Sequence, residues 1–190
     1  MGKLDGKIAI ITGASKGIGA GIARVFTEEG ACVVLAARGS DVLQFAEELQ
    51  AAGREAVGFR CDVSDAQSCK DLVDFTLKTY GTIDILDCNA GICTLGDFLT
   101  SDDAWRDAHI NIKGVWNICR ATLPTMVRNN AGSIVITSSV TGDMVADPGE
   151  SPTPRRRPPL SGSRRPLRAK WPRTTSGSTA SAPDMCKRPW

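Results

Sequence analysis

The glycine pattern at residues 12–19, Thr-Gly-Ala-Ser-Lys-Gly-Ile-Gly, constrains the fold of this chain more than any other stretch. It follows an apolar run at residues 8–11 and precedes apolar side chains at helical spacing in residues 22–26, so it predicts a strand, a tight turn and a helix. Glycine suits a turn where the backbone bends sharply or approaches a ligand, and the first amides of a helix attract anions. We expect this turn to bind an anion; the alternative is a strand–helix turn without a ligand. The candidate residues are Gly13, Ser15, Lys16, Gly17, Ile18 and Gly19.

Apolar strand-like runs and helical segments alternate along the chain as far as residue 137. Short continuous apolar runs are typical of parallel strands covered on both faces, and their alternation with helices predicts a doubly wound α/β sheet with strand order 3-2-1-4-5. In such a sheet the expected anion at the glycine turn is the pyrophosphate of a dinucleotide. The predicted strands are residues 8–11, 32–36, 56–60, 83–88 and 133–137, and the predicted helices are residues 18–29, 41–52, 66–79 and 101–129.

The charge and proline content of the chain change near residue 150. Residues 1–150 carry 13 cations and 20 acids, a formal charge of −7, whereas residues 151–190 carry ten cations and one acid, a formal charge of +9. The second stretch also holds eight of the ten prolines, which remove backbone donors, so we expect it to be irregular and disordered. We therefore predict a dinucleotide-binding domain at residues 1–150 and a basic tail at residues 151–190.

The cysteine pattern favours a reducing compartment. Seven cysteines are scattered without a C-x-x-C pair, which argues against a zinc site or a disulfide framework. The chain opens without a signal-peptide pattern and has no apolar run long enough to span a membrane. We expect a cytoplasmic protein with no metal site and no membrane partner.

The end of the second predicted strand bears on the choice of dinucleotide. An acidic residue at this place would bind the ribose 2′-hydroxyl of NAD, whereas an arginine accommodates the 2′-phosphate of NADP. The strand ends in Ala37 followed by Arg38, and Lys16 in the glycine turn supplies a second cation. Two cations beside a dianion favour NADP over NAD. The alternative is that both are ordinary surface cations.

Several motifs at the predicted strand ends together resemble the short-chain dehydrogenase/reductase family. The glycine turn matches T-G-x-x-x-G-x-G, and Asp62-Val63, Asn89-Ala90-Gly91 and an N-x-x-G stretch at residues 111–114 follow in the family's order. The resemblance covers about residues 1–150. It implies a Rossmann-type fold and hydride transfer between a nicotinamide cofactor and the carbonyl or alcohol carbon of a small molecule.

The resemblance also implies roles for single residues. Asp62 would accept a hydrogen bond from the adenine amino group while the amide of Val63 donates to the ring; in the alternative, Asp62 is a helix cap. Asn111 would hold a water of a proton relay. Ser139, the second serine after the fifth strand, would orient the substrate carbonyl. We expect His109, the only histidine, to be a surface helix residue.

The Asn89-Ala90-Gly91 motif would lie beside the cofactor, and a plain turn is its alternative. The residue before it, usually asparagine in the family, is Cys88 here.

The chain departs from the family pattern after residue 150. The family needs a tyrosine as acid/base and a lysine four residues later, about thirteen residues after the serine that matches Ser139. The corresponding places hold Pro152 or Thr153, and then Arg156 or Arg157. The single tyrosine of the chain, Tyr80, lies far away in the sequence, ahead of Gly81. We expect the catalytic pair and the C-terminal strands of the family to be missing.

The tail has a second interpretation through the genetic code. If each shifted codon takes the third base of one codon and the first two of the next, Pro152/Thr153 allows tyrosine and Arg156/Arg157 allows lysine, four shifted codons later. Residues 182–190 then allow Pro-Gly-Tyr-Val-Gln-Thr-Pro-Met, similar to a motif that follows the lysine in the family. We hypothesise that residues 151–190 are the family's C-terminal third translated out of frame. The alternative is a natural basic, disordered tail rich in proline and serine.

Three functions remain open from the sequence. The first is an NADP-dependent oxidoreductase domain that is catalytically impaired, and the second is a non-enzymatic dinucleotide-binding remnant. The third, a nucleic-acid or interaction protein with a basic tail, is the least favoured because no nucleic-acid motif is present. The family's homo-oligomers are doubtful here because the C-terminal part is missing.

Overall fold

The computed structural model of the chain describes residues 2–93 and 103–138, with the side chains of 103–105 left out. Five strands form one parallel sheet, in which every pair of neighbours runs in the same direction. The strands are β1 (Ile8–Thr12), β2 (Cys32–Ala37), β3 (Ala56–Arg60), β4 (Ile85–Cys88) and β5 (Ser133–Ile136). The helices are α1 (Gly17–Glu28), α2 (Asp41–Ala51), α3 (Ala66–Tyr80), α4 (Asp103–Ala108) and α5 (Val115–Arg128).

The strand order is β3-β2-β1-β4-β5, which confirms the doubly wound, Rossmann-type sheet expected from the alternation of elements. Ile10 at the centre of β1 pairs with Val34 of β2 on one side and with Leu86 of β4 on the other. The chain therefore winds outward in both directions from β1. In such sheets the crevice at the carboxyl ends of the two central strands is where ligands bind.

The core lies on both faces of the sheet, because alternate side chains of a strand point to opposite faces. On one face Ile11 and Leu35 pack with α1 and α2, and on the other Ile10 and Leu86 pack with α3 and α5. All five residues of β1 are buried. This two-sided burial is the reason why β1 is continuously apolar from Ile8 to Ile11 rather than alternating, with the polar Thr12 only at its end.

The helix predicted at residues 101–129 differs from the structure in its middle. Within the described residues, α4 passes into a π-helical segment, His109–Gly114, before α5 begins. Asn111 lies inside this wider turn, and its side chain bonds to the backbone of Ile92. A short π-helical segment of this kind widens the helix by one residue and is frequent at functional sites.

The described residues contain no helix that is both long and apolar enough to cross a membrane. Over the same residues, no group of three or more His, Cys, Asp or Glu side chains is arranged to hold a metal ion. Ser139, the predicted tail at residues 151–190 and the boundary at residue 150 lie outside the part of the chain that the structure describes. The predictions about them stay predictions.

Candidate functional site

Thr12, the last residue of β1, links the ends of the two central strands. Its side chain is buried, and its hydroxyl donates to the carbonyl of Asp87 at 3.1 Å. The same oxygen accepts from the backbone amides of Asn89 and Ala90, both at 3.1 Å. Thr12 is part of the glycine motif, but no role was predicted for it. Its place between a buried strand and a glycine turn is the one feature of the sequence that pointed to a role for its hydroxyl.

Asn89 holds the backbone of the glycine turn by hydrogen bonds. Its side-chain amide donates to the carbonyl oxygens of Thr12 at 3.1 Å and Gly13 at 3.3 Å. Gly13 has a φ of +68°, and a Cβ at this position would lie 2.8 Å from the Cα of Ala90. A Cβ on Gly19 would lie 2.3 Å from the carbonyl oxygen of Gly13. The turn therefore requires glycine at both positions. The Asn89-Ala90-Gly91 motif makes long-range bonds that a plain local turn would not make.

The outer side of the turn is open. Gly17 has a φ of +58°, and a Cβ added there would meet no atom of the described residues within 4 Å. Lys16 is the N-cap of α1 but makes no side-chain capping bond, and the first turn of α1 carries no acidic residue. Ser15 is half-buried, whereas Lys16 and Ile18 are exposed. With no capping side chain and no nearby carboxylate on the helix, the first amides of α1 fit the pyrophosphate of a dinucleotide.

Arg38 follows the carboxyl end of β2 and is exposed. The amide of Ala14 donates to the carbonyl of Ala36 at 3.1 Å, so the glycine turn is tied directly to the end of this strand. Lys16 and Arg38 therefore lie at the same edge of the sheet, on neighbouring connections. Ala37 stands where an acidic residue would favour a free ribose hydroxyl.

Asp62 lies just beyond the end of β3 and is held as an ionised acceptor. Its Oδ1 accepts from the hydroxyl of Ser64 at 2.7 Å and from the amide of Ser64 at 2.9 Å. The Ser64 hydroxyl first, then the Ser64 amide and the charge of Arg38, lower the pKa of Asp62 despite partial burial. The cap of α3 is instead Asp65, whose carboxylate accepts from the amides of Gln67 and Ser68. The helix-cap alternative for Asp62 is therefore wrong, and within the described residues its Oδ2 has no hydrogen-bond donor.

Asn117 on α5 fixes the loop that carries Asp62. Its buried side-chain amide donates to the carbonyl oxygens of Val63 at 3.0 Å and Ser64 at 3.2 Å. Gly114, one turn earlier, packs so closely that a Cβ there would lie 2.7 Å from Cγ2 of Val63. Asn117 belongs to none of the motifs that predicted the site. Asn117 is one of three buried polar residues on α5, with Thr122 and Thr125, so its position on the helix alone does not single it out.

Asn111 is buried in the π-helical segment and ties it to the chain that follows β4. Its Oδ1 accepts from the amide of Ile92 at 2.9 Å, and its Nδ2 donates to the Ile92 carbonyl at 2.8 Å. The side chain is thus occupied in positioning the segment next to Gly91, and its role in a proton relay stays a prediction. His109 is exposed, as expected of a surface helix residue.

The carboxyl ends of β1 to β4 bring most of the candidate residues to one edge of the sheet. The glycine turn, Arg38, the Asp62-Val63 pair and the Asn89-Ala90-Gly91 motif all lie there because the strands are parallel. Tyr80 ends α3, just before β4 begins, and so lies at the opposite edge. Burial raises the pKa of Tyr80. This tyrosine is therefore not a proton donor for the candidate site.

Comparison with known proteins extends over the same part of the chain. A family model described as short chain dehydrogenase matches residues 7–150. Oxidoreductase UcpA of Salmonella typhimurium is 51% identical over 153 residues, which are 80% of this chain and 58% of that protein. The chain thus spans less than two thirds of the length of this relative.

Two solved structures are also similar. A short-chain type dehydrogenase/reductase from Mycobacterium marinum has 37% identity and a TM-score of 0.73, with 77% of this chain and 61% of that chain covered. A short chain dehydrogenase/reductase from Burkholderia phymatum, solved in complex with NAD, has 33% identity and a TM-score of 0.73, with coverage of 79% and 54%. Residues 7–150, which the family model matches, include the whole edge of the sheet described above. This chain therefore belongs to the short-chain dehydrogenase family of oxidoreductases.

Proposed function

We propose that residues 1–150 bind NADP(H) in preference to NAD(H), as the cofactor half of an oxidoreductase acting on a small carbonyl or alcohol. The observation that carries dinucleotide binding is the glycine turn, whose carbonyl oxygens accept hydrogen bonds from Asn89 and which has open space beside Gly17. The family and the NAD-bound Burkholderia structure support a nicotinamide dinucleotide as the ligand. The six described cysteines are thiols, which supports the proposed cytoplasmic location.

The described residues divide the work of holding the cofactor. The first amides of α1 would bind the pyrophosphate, and Lys16 and Arg38 would neutralise the 2′-phosphate. Oδ2 of Asp62 would accept from the adenine amino group, with Ser64 and Asn117 keeping the carboxylate in place. Bound NADPH supplies the hydride that reduces a carbonyl carbon.

We further propose that the chain as written turns over little or nothing. Asn111 and the predicted Ser139 are retained, but the sequence has no tyrosine or lysine where the family has its acid/base pair. General acid–base catalysis contributes about 10²–10⁴-fold to a rate. Arg156 and Arg157 cannot replace a proton donor, because a guanidinium stays protonated near neutral pH. A dinucleotide-binding protein without turnover is therefore the second candidate function, and this missing pair is the observation that favours it.

Calorimetry with NADP and NAD tests the cofactor proposal. Wild type should bind NADP more tightly, and Arg38→Asp should lose about 10–150-fold in NADP affinity, the equivalent of a charge-assisted hydrogen bond of about 1.5–3 kcal/mol. Arg54→Asp is the matched control, since Arg54 is exposed but precedes β3 at the opposite edge of the sheet. Equal affinity of the wild type for the two dinucleotides would contradict the preference, and binding of neither would contradict the function.

Turnover tests the frameshift hypothesis. This chain and one with the shifted frame restored after Glu150 would be assayed with NADPH and a panel of aldehydes and ketones, and with NADP and alcohols. We expect the restored chain to be active and this chain to be silent. Comparable turnover by both would show that the family's tyrosine and lysine are not needed, and silence of both would remove the support for the restored frame.

A further inference from the structure

Cys88 and Cys119 bring two thiols together across the sheet–helix interface. Cys88 is the last residue of β4 and is only 1% exposed, whereas Cys119 lies on α5 and is half-buried. Their Sγ atoms are 3.8 Å apart, in van der Waals contact. The two residues are 31 positions apart in the sequence, so the packing of α5 on β4 creates the pair.

A second thiol pair in the same core provides a comparison. Cys61 and Cys69 are also two thiols that interact with each other, but they are only 4% and 0% exposed. Cys69 additionally donates to the carbonyl of Val63 at 3.5 Å. The interaction with Cys61, followed by burial, raises the pKa of the Cys69 thiol, whereas the same interaction lowers the pKa of Cys61. Exposure, and not the thiol pKa, therefore distinguishes the two pairs. Of the two pairs, only the pair that includes Cys119 on α5 has a partly exposed member.

We propose that Cys88 and Cys119 form an oxidative modification site, at which a hydroperoxide converts the two thiols into a disulfide. Cys119 reacts first because it is the partly exposed member of the pair, and its hydrogen bond with Cys88 lowers the pKa of the Cys119 thiol. Its thiolate attacks one peroxide oxygen, the O–O bond breaks, and the other oxygen leaves as an alcohol or water after taking up a proton. Cys119 is then a sulfenic acid.

Cys88 completes the reaction. Its sulfur attacks the sulfur of the sulfenic acid, the S–O bond breaks, and the hydroxide takes the Cys88 proton to leave as water. The peroxide gains the two electrons that the two sulfurs lose. The two sulfurs must approach from 3.8 Å to about 2.05 Å for the bond to form.

The bond would connect α5 to the strand that supports the glycine turn. Cys88 directly precedes Asn89, whose side chain donates to the carbonyls of Thr12 and Gly13. Oxidation would therefore fix α5 relative to the connection that closes the turn. This site does not depend on the proposed cofactor, because its chemistry involves only the two thiols and the peroxide.

Peptide mapping after treatment with hydrogen peroxide tests the site. The experiment uses the full chain carrying Cys93→Ser, because Cys93 is an exposed thiol in the same tryptic peptide as Cys88. After alkylation in denaturant and non-reducing digestion with trypsin, we expect residues 79–106 to be linked to residues 114–120, with the loss of two hydrogens. Residues 61–70 carry both Cys61 and Cys69 in one peptide and serve as the internal control. They should remain alkylatable on both sulfurs.

Each outcome decides the proposal. In a chain carrying both Cys93→Ser and Cys119→Ser the link should disappear while circular dichroism shows an unchanged fold, and Cys119→Ala repeats the control without a hydroxyl. The proposal is overturned if Cys119 is converted to a sulfinic acid without a bond to Cys88, or if the link forms only between two chains. Oxidation of the peptide at residues 61–70 as fast as that of the Cys88–Cys119 pair would also overturn it, because exposure would then not select the site.

Discussion

Replacement of Asn117 by alanine should destabilise the whole domain, although the residue lies outside the family motifs. The buried Nδ2 bonds to the carbonyl oxygens of Val63 at 3.0 Å and Ser64 at 3.2 Å, and both bonds are lost in Asn117→Ala. A typical hydrogen bond contributes about 0.5–1.5 kcal/mol, and a buried acceptor left without a donor costs about 1–3 kcal/mol. We expect the free energy of unfolding to fall by about 2–4 kcal/mol, a large part of the roughly 5–15 kcal/mol of an ordinary domain.

Asn129→Ala is the matched control. Asn129 is exposed, and its side-chain amide makes a single bond, to the hydroxyl of Thr82 at 2.9 Å. Its loss should change the free energy of unfolding by no more than about 0.5 kcal/mol, as is usual for surface substitutions. Urea unfolding followed by circular dichroism measures both variants, and comparison of the m-values shows whether the unfolded states are alike. If Asn117→Ala costs no more than Asn129→Ala, the two buried bonds do not stabilise the loop.

The same variant has a more local consequence if the cofactor proposal is correct. A loosened Val63–Ser64 backbone no longer orients the carboxylate of Asp62, so the protein should discriminate less between adenine and hypoxanthine, which lacks the amino group. The ratio of the affinities for NADP and its hypoxanthine analogue should fall in Asn117→Ala and stay unchanged in Asn129→Ala. A purely global loss of stability would lower both affinities together and leave the ratio alone.

Three further substitutions test the packing and the charges. Thr122→Val should raise the free energy of unfolding by about 1 kcal/mol, because the Thr122 hydroxyl is buried with no hydrogen-bond partner among the described residues. Thr76→Val should lower the free energy of unfolding, since the Thr76 hydroxyl donates to a backbone carbonyl at 2.8 Å. Equal effects of the two substitutions in thermal unfolding would contradict this. Gly19→Ala should lower the free energy of unfolding by about 1–3 kcal/mol, because the added Cβ would lie 2.3 Å from a carbonyl oxygen. Gly21→Ala, where the added Cβ meets no atom within 4 Å, should leave the free energy of unfolding unchanged or raise it. If Gly19→Ala has no effect on stability, the turn is not tightly closed. The pKa of Asp62 is lowered in the folded protein, so its stabilising effect is present above about pH 4 and is lost as the pH falls through its folded-state pKa. Asp62→Asn should therefore reduce the loss of stability that the protein shows on acidification. An unchanged pH dependence of stability would refute the role of the Asp62 hydrogen bonds.

The order of elements and the position of the site could be predicted from the sequence. The apolar run of β1 has no polar alternation because both faces of the strand are buried, and that property is visible in residues 8–11 alone. The need for glycine at positions 13 and 17 follows from a left-handed backbone, which is a local requirement as well. Since parallel strands place their carboxyl ends together, motifs that follow successive strands had to meet at one edge.

Tertiary structure decided what depends on contacts between distant residues. Asp62 and Asp65 both stand close to the start of α3 in the sequence, and the backbone conformation gives the capping role to Asp65. The roles of Thr12 and Asn117 arise from bonds to residues 75 and 54 positions away. No local pattern encodes such partners, since they are set by how β4 packs beside β1 and how α5 packs against the loop after β3.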